Sequence, residues 1–170
     1  MALNLDDLDE LTRIEMLTEL TDDIASGKLY LSDRLSSTGR REYPELLKEA
    51  IAHHDDEWLA RQLRAGGRLK TTELSRSKSG NVIEKRVPVT AADTLAEGEF
   101  NRFYLRGLCR RALAAGVSEI EVYRAKEVQH PRPESTALVG QRLRAADLLR
   151  DLRASVGVET ALGLPPGPNS

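Results

Sequence analysis

The sequence has few aromatic residues and a single cysteine. Of its 170 residues seven are aromatic, and Cys109 is the only cysteine. One cysteine excludes an intramolecular disulfide, and with it the class of small secreted domains held together by disulfides. No apolar run approaches the ~18 residues of a membrane span, and the N-terminal segment is acidic from Asp6, whereas a signal peptide has a basic start and then an apolar run. We therefore expect a cytoplasmic protein that does not bind a membrane.

The chain also lacks an excess of charge of either sign. It carries 25 basic and 27 acidic side chains, and the resulting net charge of -2 excludes an outright polycation or an acidic solvating chain. Hydrophobic residues make up 40% of the sequence, and with the 12 glycines the apolar share is close to that of ordinary globular proteins. The composition therefore predicts a folded chain with a core.

Charge is nevertheless divided unevenly along the chain. Residues 1–60 carry fifteen acids and six bases, residues 61–111 carry five acids and twelve bases, and residues 112–170 carry seven of each. The three segments thus have net charges of -9, +7 and 0. Such asymmetry is typical of proteins that bind a charged partner. The alternative is that the acidic and basic segments face each other, within one fold or between neighbouring subunits.

The acidic first third of the chain is predicted to form short helices. Thr12 and Glu15 match a capping box, and apolar residues follow at helical spacing, which predicts a helix over 13–25. Pro44 is suited to the first position of a second helix that ends near His54. The other predicted features are a connection over 28–42, a third helix capped by Asp55 and Asp56, and its end at Gly66 and Gly67.

From residue 68 onward the pattern changes to strands and longer helices. Residues 69–74 and 82–89 are predicted strands joined by a turn-rich segment, which is typical of a β-hairpin. Residues 91–115 predict one long helix, or two pieces broken near Gly98. The remaining predicted elements are a strand over 118–128, a helix over 145–154 and a tail rich in proline and glycine over 157–170.

These elements predict an α+β fold. Short N-terminal helices precede a β-hairpin, a long helix, a strand and a C-terminal helix, in the order ββαβα. One small sheet packed on the helix 91–115 is the simplest way to bury that helix. We expect the acidic helical region 1–67, the basic and neutral region 68–156 and the tail 157–170 to form one compact unit.

The basic run over 98–111 is the first candidate binding region. Phe100, Phe103 and Tyr104 share a broad apolar face and are predicted to pack in the core. Arginines at i, i+4 and i+8 line another face, where they repel one another unless acids or a partner compensate them. The alternative is that these arginines form an ordinary solvated face of the helix. Glycine inside a helix costs about 1 kcal/mol of stability relative to alanine. A close approach of another backbone segment would explain why Gly107 is there. The candidate binding residues of this region are Asn101, Arg102, Arg106, Arg110 and Arg111.

The hairpin is the second candidate binding region. Basic side chains lie at its tip and on its strands, and a basic two-stranded ribbon can enter a nucleic-acid groove. Residues 59–99 contain no aromatic side chain, which argues against base stacking on a single strand. The alternative is a solvated polar turn. The basic residues concerned are Arg76, Lys78, Lys85 and Arg86.

No motif for catalysis or for a cofactor is found. Residues 53–57 contain imidazoles and carboxylates, but neighbouring helical residues point about 100° apart and cannot converge on one metal ion. The carboxylates of the predicted strands lack the acid-x-lysine spacing of a nuclease-like magnesium site. Cys109 has no histidine near it in sequence and is interpreted as a small buried residue. The sequence therefore predicts no catalytic residue, metal or cofactor, and an enzyme is the least favoured class.

Two functions follow from these observations. The first is a non-enzymatic interaction or assembly protein that uses the acidic surface of 1–60 and the basic surface of 61–111, with a protein partner, in a homo-oligomer or in a larger particle. The second is a nucleic-acid-associated protein that binds through the basic hairpin and the arginine-rich helix. The first is favoured because nucleic-acid-binding domains usually show a clear basic excess.

Overall fold

The described chain consists of six helices and four short strands. The computed structural model describes residues 3–126, 129, 131 and 133–155, and the predicted tail 157–170 lies outside them. The mixture of helices with two small antiparallel sheets confirms the predicted α+β class. The helices are α1 (Glu10–Ala25), α2 (Ser37–His53), α3 (Asp56–Arg64), α4 (Ala91–Ala114), α5 (Pro133–Leu138) and α6 (Ala145–Ala154), and the strands are β1 (Thr72–Arg76), β2 (Val82–Arg86), β3 (Glu119–Glu121) and β4 (Arg142–Arg144).

Helix α1 begins earlier than predicted. Asp9 is its N-cap, because the Asp9 carboxylate accepts a hydrogen bond of 3.0 Å from the Thr12 amide. Glu10 then stands in the first turn, where its charge interacts favourably with the positive end of the helix dipole. Thr12 therefore lies within the first turn of the helix and not at its cap, and its side chain is buried. The predicted capping box of Thr12 and Glu15 is wrong, because an aspartate upstream supplies the cap.

Helix α2 also begins earlier than the sequence suggests. Ser36 caps it by accepting a hydrogen bond of 3.1 Å from the Gly39 amide. Residues 37–42, predicted to belong to a connection, are helical, and Pro44 lies inside the helix instead of at its first position. A Cβ atom on Gly39 would overlap the carbonyl oxygen of Arg68, so this end of α2 is packed directly against a distant backbone segment. No local sequence pattern encodes that contact.

Helix α3 has the boundaries that the sequence predicts. The Asp55 carboxylate accepts a hydrogen bond of 2.7 Å from the Trp58 amide and caps the helix. Gly66 and Gly67 follow it with φ of 65° and 66°, a conformation that glycine adopts without strain. The predicted cap and end of this helix are confirmed.

Helix α4 lies at the centre of the fold. It runs unbroken through Gly98 for 24 residues, which decides between the two sequence interpretations. Helices α1, α3 and α6 pack against it, and Phe100, Phe103 and Tyr104 are buried in the shared core, as predicted. None of the described helices, α4 included, has the length and apolar composition required to cross a bilayer. The other large buried side chains of this core are Met16, Leu20, Leu35, Tyr43, Leu47, Ile51, Leu59 and Leu63.

The described strands form two separate antiparallel pairs. In the hairpin β1 pairs with β2, with Leu74 opposite Glu84, and elsewhere β3 pairs with β4. The expectation of one small sheet packed on α4 is therefore wrong, because the described strands form two sheets. Strand β3 contacts α4, whereas the hairpin makes no extensive contact with any described helix. The predicted strand over 118–128 shortens to three residues, because its partner β4 is equally short, and residues 127 and 128 lie outside the described chain.

Candidate functional site

The arginines of α4 lie against the carboxylates of α1. Arg106 Nε donates a hydrogen bond of 2.7 Å to Glu19, and its two terminal nitrogens donate to the two carboxylate oxygens of Asp23 at 2.7 and 2.8 Å. Arg106 and Glu19 are only 3% and 1% exposed. The guanidinium carbon also lies 5.0 Å from the centre of the Phe103 ring. Arg106 is thus part of the core and is bonded through all three guanidinium nitrogens.

Two further arginines complete this Glu19 cluster. Arg110 Nε donates to Glu15 at 2.5 Å and Arg110 Nη1 donates to Glu19 at 3.3 Å. Arg153, near the end of α6, donates to both carboxylate oxygens of Glu19 at 2.5 and 3.1 Å. The carboxylate of Glu19 therefore joins α1, α4 and α6. The cluster comprises Glu15, Glu19, Asp23, Arg106, Arg110 and Arg153.

The spacing of charges on the two helices explains why the cluster forms. Acids recur every four residues along α1 and arginines do so along α4, so each series lines one side of its helix. Gly107 faces α1, where a Cβ atom would come within 2.7 Å of Met16 Cγ, 2.9 Å of Met16 N and 3.0 Å of the Thr12 carbonyl oxygen. The expected close approach at Gly107 is therefore confirmed. This approach brings the two series of charges within bonding distance.

Burial and hydrogen bonding act in opposite directions on these charges. Burial works to raise the pKa of Glu19, but hydrogen bonds from Arg153 and Arg106 outweigh it and hold that pKa below its ordinary value. Burial works to lower the pKa of Arg106, but the carboxylates of Asp23 and Glu19 outweigh it and raise that pKa. Glu19 and Arg106 are therefore both charged at neutral pH.

The other predicted binding residues of α4 are placed as follows. Arg102 Nη1 donates a hydrogen bond of 2.6 Å to the Ser155 carbonyl, and Arg111 pairs with Asp9 at 2.8 Å. Asn101 is half-buried. Binding of an external partner by the arginines of α4 stays a prediction, and such a partner would compete with these internal bonds.

The predicted residues of the hairpin lie in solvent. Glu73 of β1 ties the hairpin to the body of the protein, because it accepts a hydrogen bond of 2.6 Å from Arg34 and lies 3.3 Å from Lys85 Nζ. The hairpin does not pack extensively on α4, so the structure does not merge the two predicted binding regions into one surface. The exposed basic residues of the hairpin are Arg76, Lys78, Lys85 and Arg86.

Sequence reasoning missed two exposed apolar surfaces. On one side of the hairpin, Leu74 and Val82 are 75% and 64% exposed, and on α1, Leu11 and Ile14 are 60% and 51% exposed. A recess of about 370 Å³ lies along the same side of α1. The first surface has a usable signal in β2, where three charged residues follow Val82 and Ile83, a pattern that favours an exposed strand. The second has no clear signal, because apolar residues occur on several sides of α1.

Other reactive side chains occupy structural positions. Cys109 is buried, which raises the pKa of its thiol to about 12. The His54 ring stacks on Trp58 with 4.4 Å between centroids, and the Asp56 carboxylate accepts a hydrogen bond of 3.1 Å from the Leu3 amide. Among the residues that the structure describes, no group of three histidine, cysteine or acidic side chains is arranged to hold a metal ion.

The geometry thus defines an α+β protein with a central helix held by ion pairs to its neighbours and with a basic hairpin standing apart. Comparison with family models, with curated proteins and with solved structures finds no match for this chain. We therefore infer its function from its surfaces.

Proposed function

We propose that the protein is a non-enzymatic assembly protein whose copies bind head to tail, with the hairpin of one copy on α1 of the next. The observation that carries this proposal is a pair of exposed apolar surfaces flanked by charges of opposite sign. We call them the hairpin surface, on the outward side of β1 and β2, and the α1 surface, on the outward side of α1.

The hairpin surface combines apolar and basic side chains. Alternate residues of a strand share one side, and the register puts Leu74, Arg76, Val82 and Arg86 on the side that also carries Glu84. A two-stranded hairpin by itself is at best marginally stable in water. Within the described chain both of its edges lack a further strand. A partner that covers Leu74 and Val82 would therefore stabilise the hairpin.

The α1 surface combines apolar and acidic side chains. Leu11 and Ile14 are exposed on it, and the recess beside them is lined by Ile14 and Leu17. Glu10 and Asp22 flank this stripe, and neither forms an ion pair with a residue that the structure describes. The recess is suited to an aliphatic side chain that arrives with positive charge around it.

Charge favours a contact between unlike surfaces. Pairing two hairpin surfaces would bring together two sides that each carry Arg76 and Arg86 with one acid, Glu84, and like charges that face each other are destabilising. Pairing a hairpin surface with an α1 surface sets basic side chains against Glu10 and Asp22, which gives complementary potentials. A contact between unlike surfaces leaves one of each kind open at the ends of every complex, so it propagates unless a ring closes.

The test uses two variants and their mixture. The hairpin variant carries Leu74→Ser with Arg86→Glu, and the α1 variant carries Ile14→Gln with Asp22→Lys. Light scattering over a concentration series is expected to show wild-type masses that rise past a dimer and fall with added salt, because salt screens the exposed charges. Each variant alone is expected to stay at the monomer mass of 18.9 kDa. An equimolar mixture is expected to stop at dimers, because each variant keeps one working surface.

A matched control changes the same kinds of residue elsewhere. Arg61→Glu with Val139→Ser alters an exposed charge and an exposed valine outside both surfaces, and it is expected to assemble like wild type. A wild-type protein that remains monomeric at all concentrations would overturn the proposal. A mixture that stays monomeric while wild type assembles would show that the two surfaces are not each other's partners.

A nucleic-acid interface is the second candidate function, because the basic side chains of the hairpin are exposed. Binding to a mixed-sequence DNA duplex would then weaken with salt, and Arg76→Gln with Lys78→Gln would reduce the logarithmic salt slope by up to about 2. No measurable binding, or a slope that this variant leaves unchanged, would exclude the hairpin as the interface.

A further inference from the structure

A cavity of about 580 Å³ lies between α4, the C-terminal end of α6 and residues 27–31. Its volume is within the range of about 300–1,000 Å³ that is usual for small-molecule sites. No residue of the hairpin lines it, and α1 contributes only Asp23. We propose that this cavity binds a small organic carboxylate, an activity separate from the proposed assembly.

Positive charge predominates around the cavity. Four cationic and two acidic residues line it, and the buried carboxylate of Glu19, bonded to two of these cations, brings the acids to three. One positive charge is left over when Glu99 is ionised and two when it is protonated, which favours an anionic ligand. The cations are Lys28, Arg102, Arg106 and Arg153, and the lining carboxylates are Asp23 and Glu99.

Lys28 is the cation best placed to serve a ligand. All three nitrogens of Arg106 are engaged by Glu19 and Asp23, and Arg153 is bonded to Glu19 through two of its nitrogens. Lys28 is exposed at the rim and takes part in none of the ion pairs between described residues. Its ammonium group can therefore bind a carboxylate without breaking an existing pair.

Glu99 supplies a second, proton-dependent contact. Its side chain is 4% exposed, and its closest approach to Arg102 Nε is 3.5 Å, longer than the usual 2.7–3.2 Å of an N–H···O hydrogen bond. Burial raises the pKa of Glu99 to about 7, against the opposing effect of Arg102. A large share of the molecules is therefore protonated at Glu99 at neutral pH and can donate a hydrogen bond to a bound carboxylate. The charged and titratable groups around Glu99 are Asp23 of α1, Tyr43 of α2, Arg102 and Arg106 of α4, and Arg153 of α6, which lines the same cavity.

The apolar part of the lining determines the kind of anion. Leu29, Tyr30 and Leu31 line the cavity and are half-buried. A carboxylate with a short hydrocarbon body covers this apolar surface, whereas inorganic phosphate leaves it in contact with water. The ligand class is therefore a carboxylic acid with an apolar body.

The test is an NMR titration of the full-length protein with hexanoate. Binding is expected to shift the amides of residues 27–31 and of α4 at the cavity. Hexanoate is expected to bind about tenfold more weakly at pH 8 than at pH 6, because protonated Glu99 falls from about nine-tenths to about one-tenth of the molecules. Hexanamide, which has no charge, and inorganic phosphate, which has no hydrocarbon body, are expected to bind at least about tenfold more weakly than hexanoate at pH 6.

Variants separate the two contacts. Glu99→Gln keeps a donor and removes the ionisation, so it is expected to bind hexanoate equally at pH 6 and pH 8. Lys28→Gln is expected to weaken binding about tenfold through the loss of a charged hydrogen bond. Lys48→Gln, an exposed lysine of α2 outside the cavity, is expected to bind like wild type.

The proposal would be overturned by an absence of shifts at about 10 mM hexanoate. It would also be overturned if Lys28→Gln bound like Lys48→Gln, or if Glu99→Gln kept the pH dependence of wild type. If Glu99→Gln fails to fold, the comparison of the two lysine variants and the location of the amide shifts still test whether hexanoate binds in the cavity. A failure of the assembly experiment leaves these outcomes unaffected, because the hairpin contributes nothing to the cavity.

Discussion

Arg106 of α4 and Glu19 of α1 form a buried ion pair, with 2.6 Å between Nη2 and Oε2, although they are 87 residues apart in the chain. The pair shows that the basic middle segment and the acidic first segment meet inside the fold. Part of the charge asymmetry along the chain therefore serves helix packing. The charges on the hairpin and on the outward side of α1 are not used in this packing.

Replacing Arg106 is expected to destabilise the protein strongly. Arg106→Met leaves Asp23 without its partner and Glu19 with fewer, and removing one partner of a buried pair typically costs about 3–5 kcal/mol. Urea unfolding measures the loss. Arg150→Met, which removes an exposed arginine with an ion pair of 3.1 Å to Asp147, is expected to cost less than about 1 kcal/mol. Equal effects of the two substitutions would contradict a structural role for the Glu19 cluster.

Two glycines of α4 are expected to respond in opposite ways to alanine. At Gly107 an added Cβ atom meets Met16 and the Thr12 carbonyl, so Gly107→Ala is expected to lower the free energy of unfolding by about 1–3 kcal/mol. At Gly98 nothing lies within 4 Å of the added atom, so Gly98→Ala is expected to raise it by about 0.5–1 kcal/mol through helix propensity alone. Thermal unfolding of the two variants checks both. A stabilised Gly107→Ala would mean that α1 and α4 are farther apart than the structure shows.

Glu99 is expected to make the protein less stable as the pH rises. Burial raises its pKa from the ordinary 4.5 to about 7, so between these values the folded protein holds a proton that the unfolded chain has released. Stability from this group is complete below pH 4.5 and is lost as the pH approaches 7, by about 3 kcal/mol in total. Urea unfolding of wild type and Glu99→Gln measures it. Between pH 4.5 and pH 8 the free energy of unfolding of wild type is expected to fall by about 3 kcal/mol relative to that of the variant. A difference between the two proteins that does not change with pH would contradict a raised pKa of Glu99.

Cys109 is expected to be unreactive in the folded protein. Its side chain is buried and the pKa of its thiol is raised to about 12, so the reactive thiolate is scarce and shielded. A disulfide reagent at pH 8 is expected to modify the native protein only as fast as the protein unfolds. The urea-denatured chain serves as the control and is expected to react at once. Rapid modification under native conditions would show that α6 does not cover this residue in solution.

Local patterns were sufficient where the physical cause is local. Phe100, Phe103 and Tyr104 pack inward because helical spacing puts them on one side of α4, and Asp55 caps α3 because its side chain reaches the first free amides. The starts of α1 and α2 were predicted too late, because several polar residues compete for the cap and Gly39 is set by contact with distant Arg68. The candidate cavity was missed because Glu99, Lys28 and Arg153 come from three separate parts of the chain.

The sequence by itself determined the α+β class, the central helix with its apolar face, the basic hairpin and the need for a close neighbour at Gly107. Each of these depends on periodicity, composition or turn chemistry within a few residues. Only the tertiary structure decided that Arg106 meets Glu19, that the hairpin stands apart from α4, and that β3 pairs with β4. The sequence gives the sign and the spacing of the charges along one helix, but it does not give the helix with which they pair. That helix is chosen by the burial of apolar surface, which brings particular helices together.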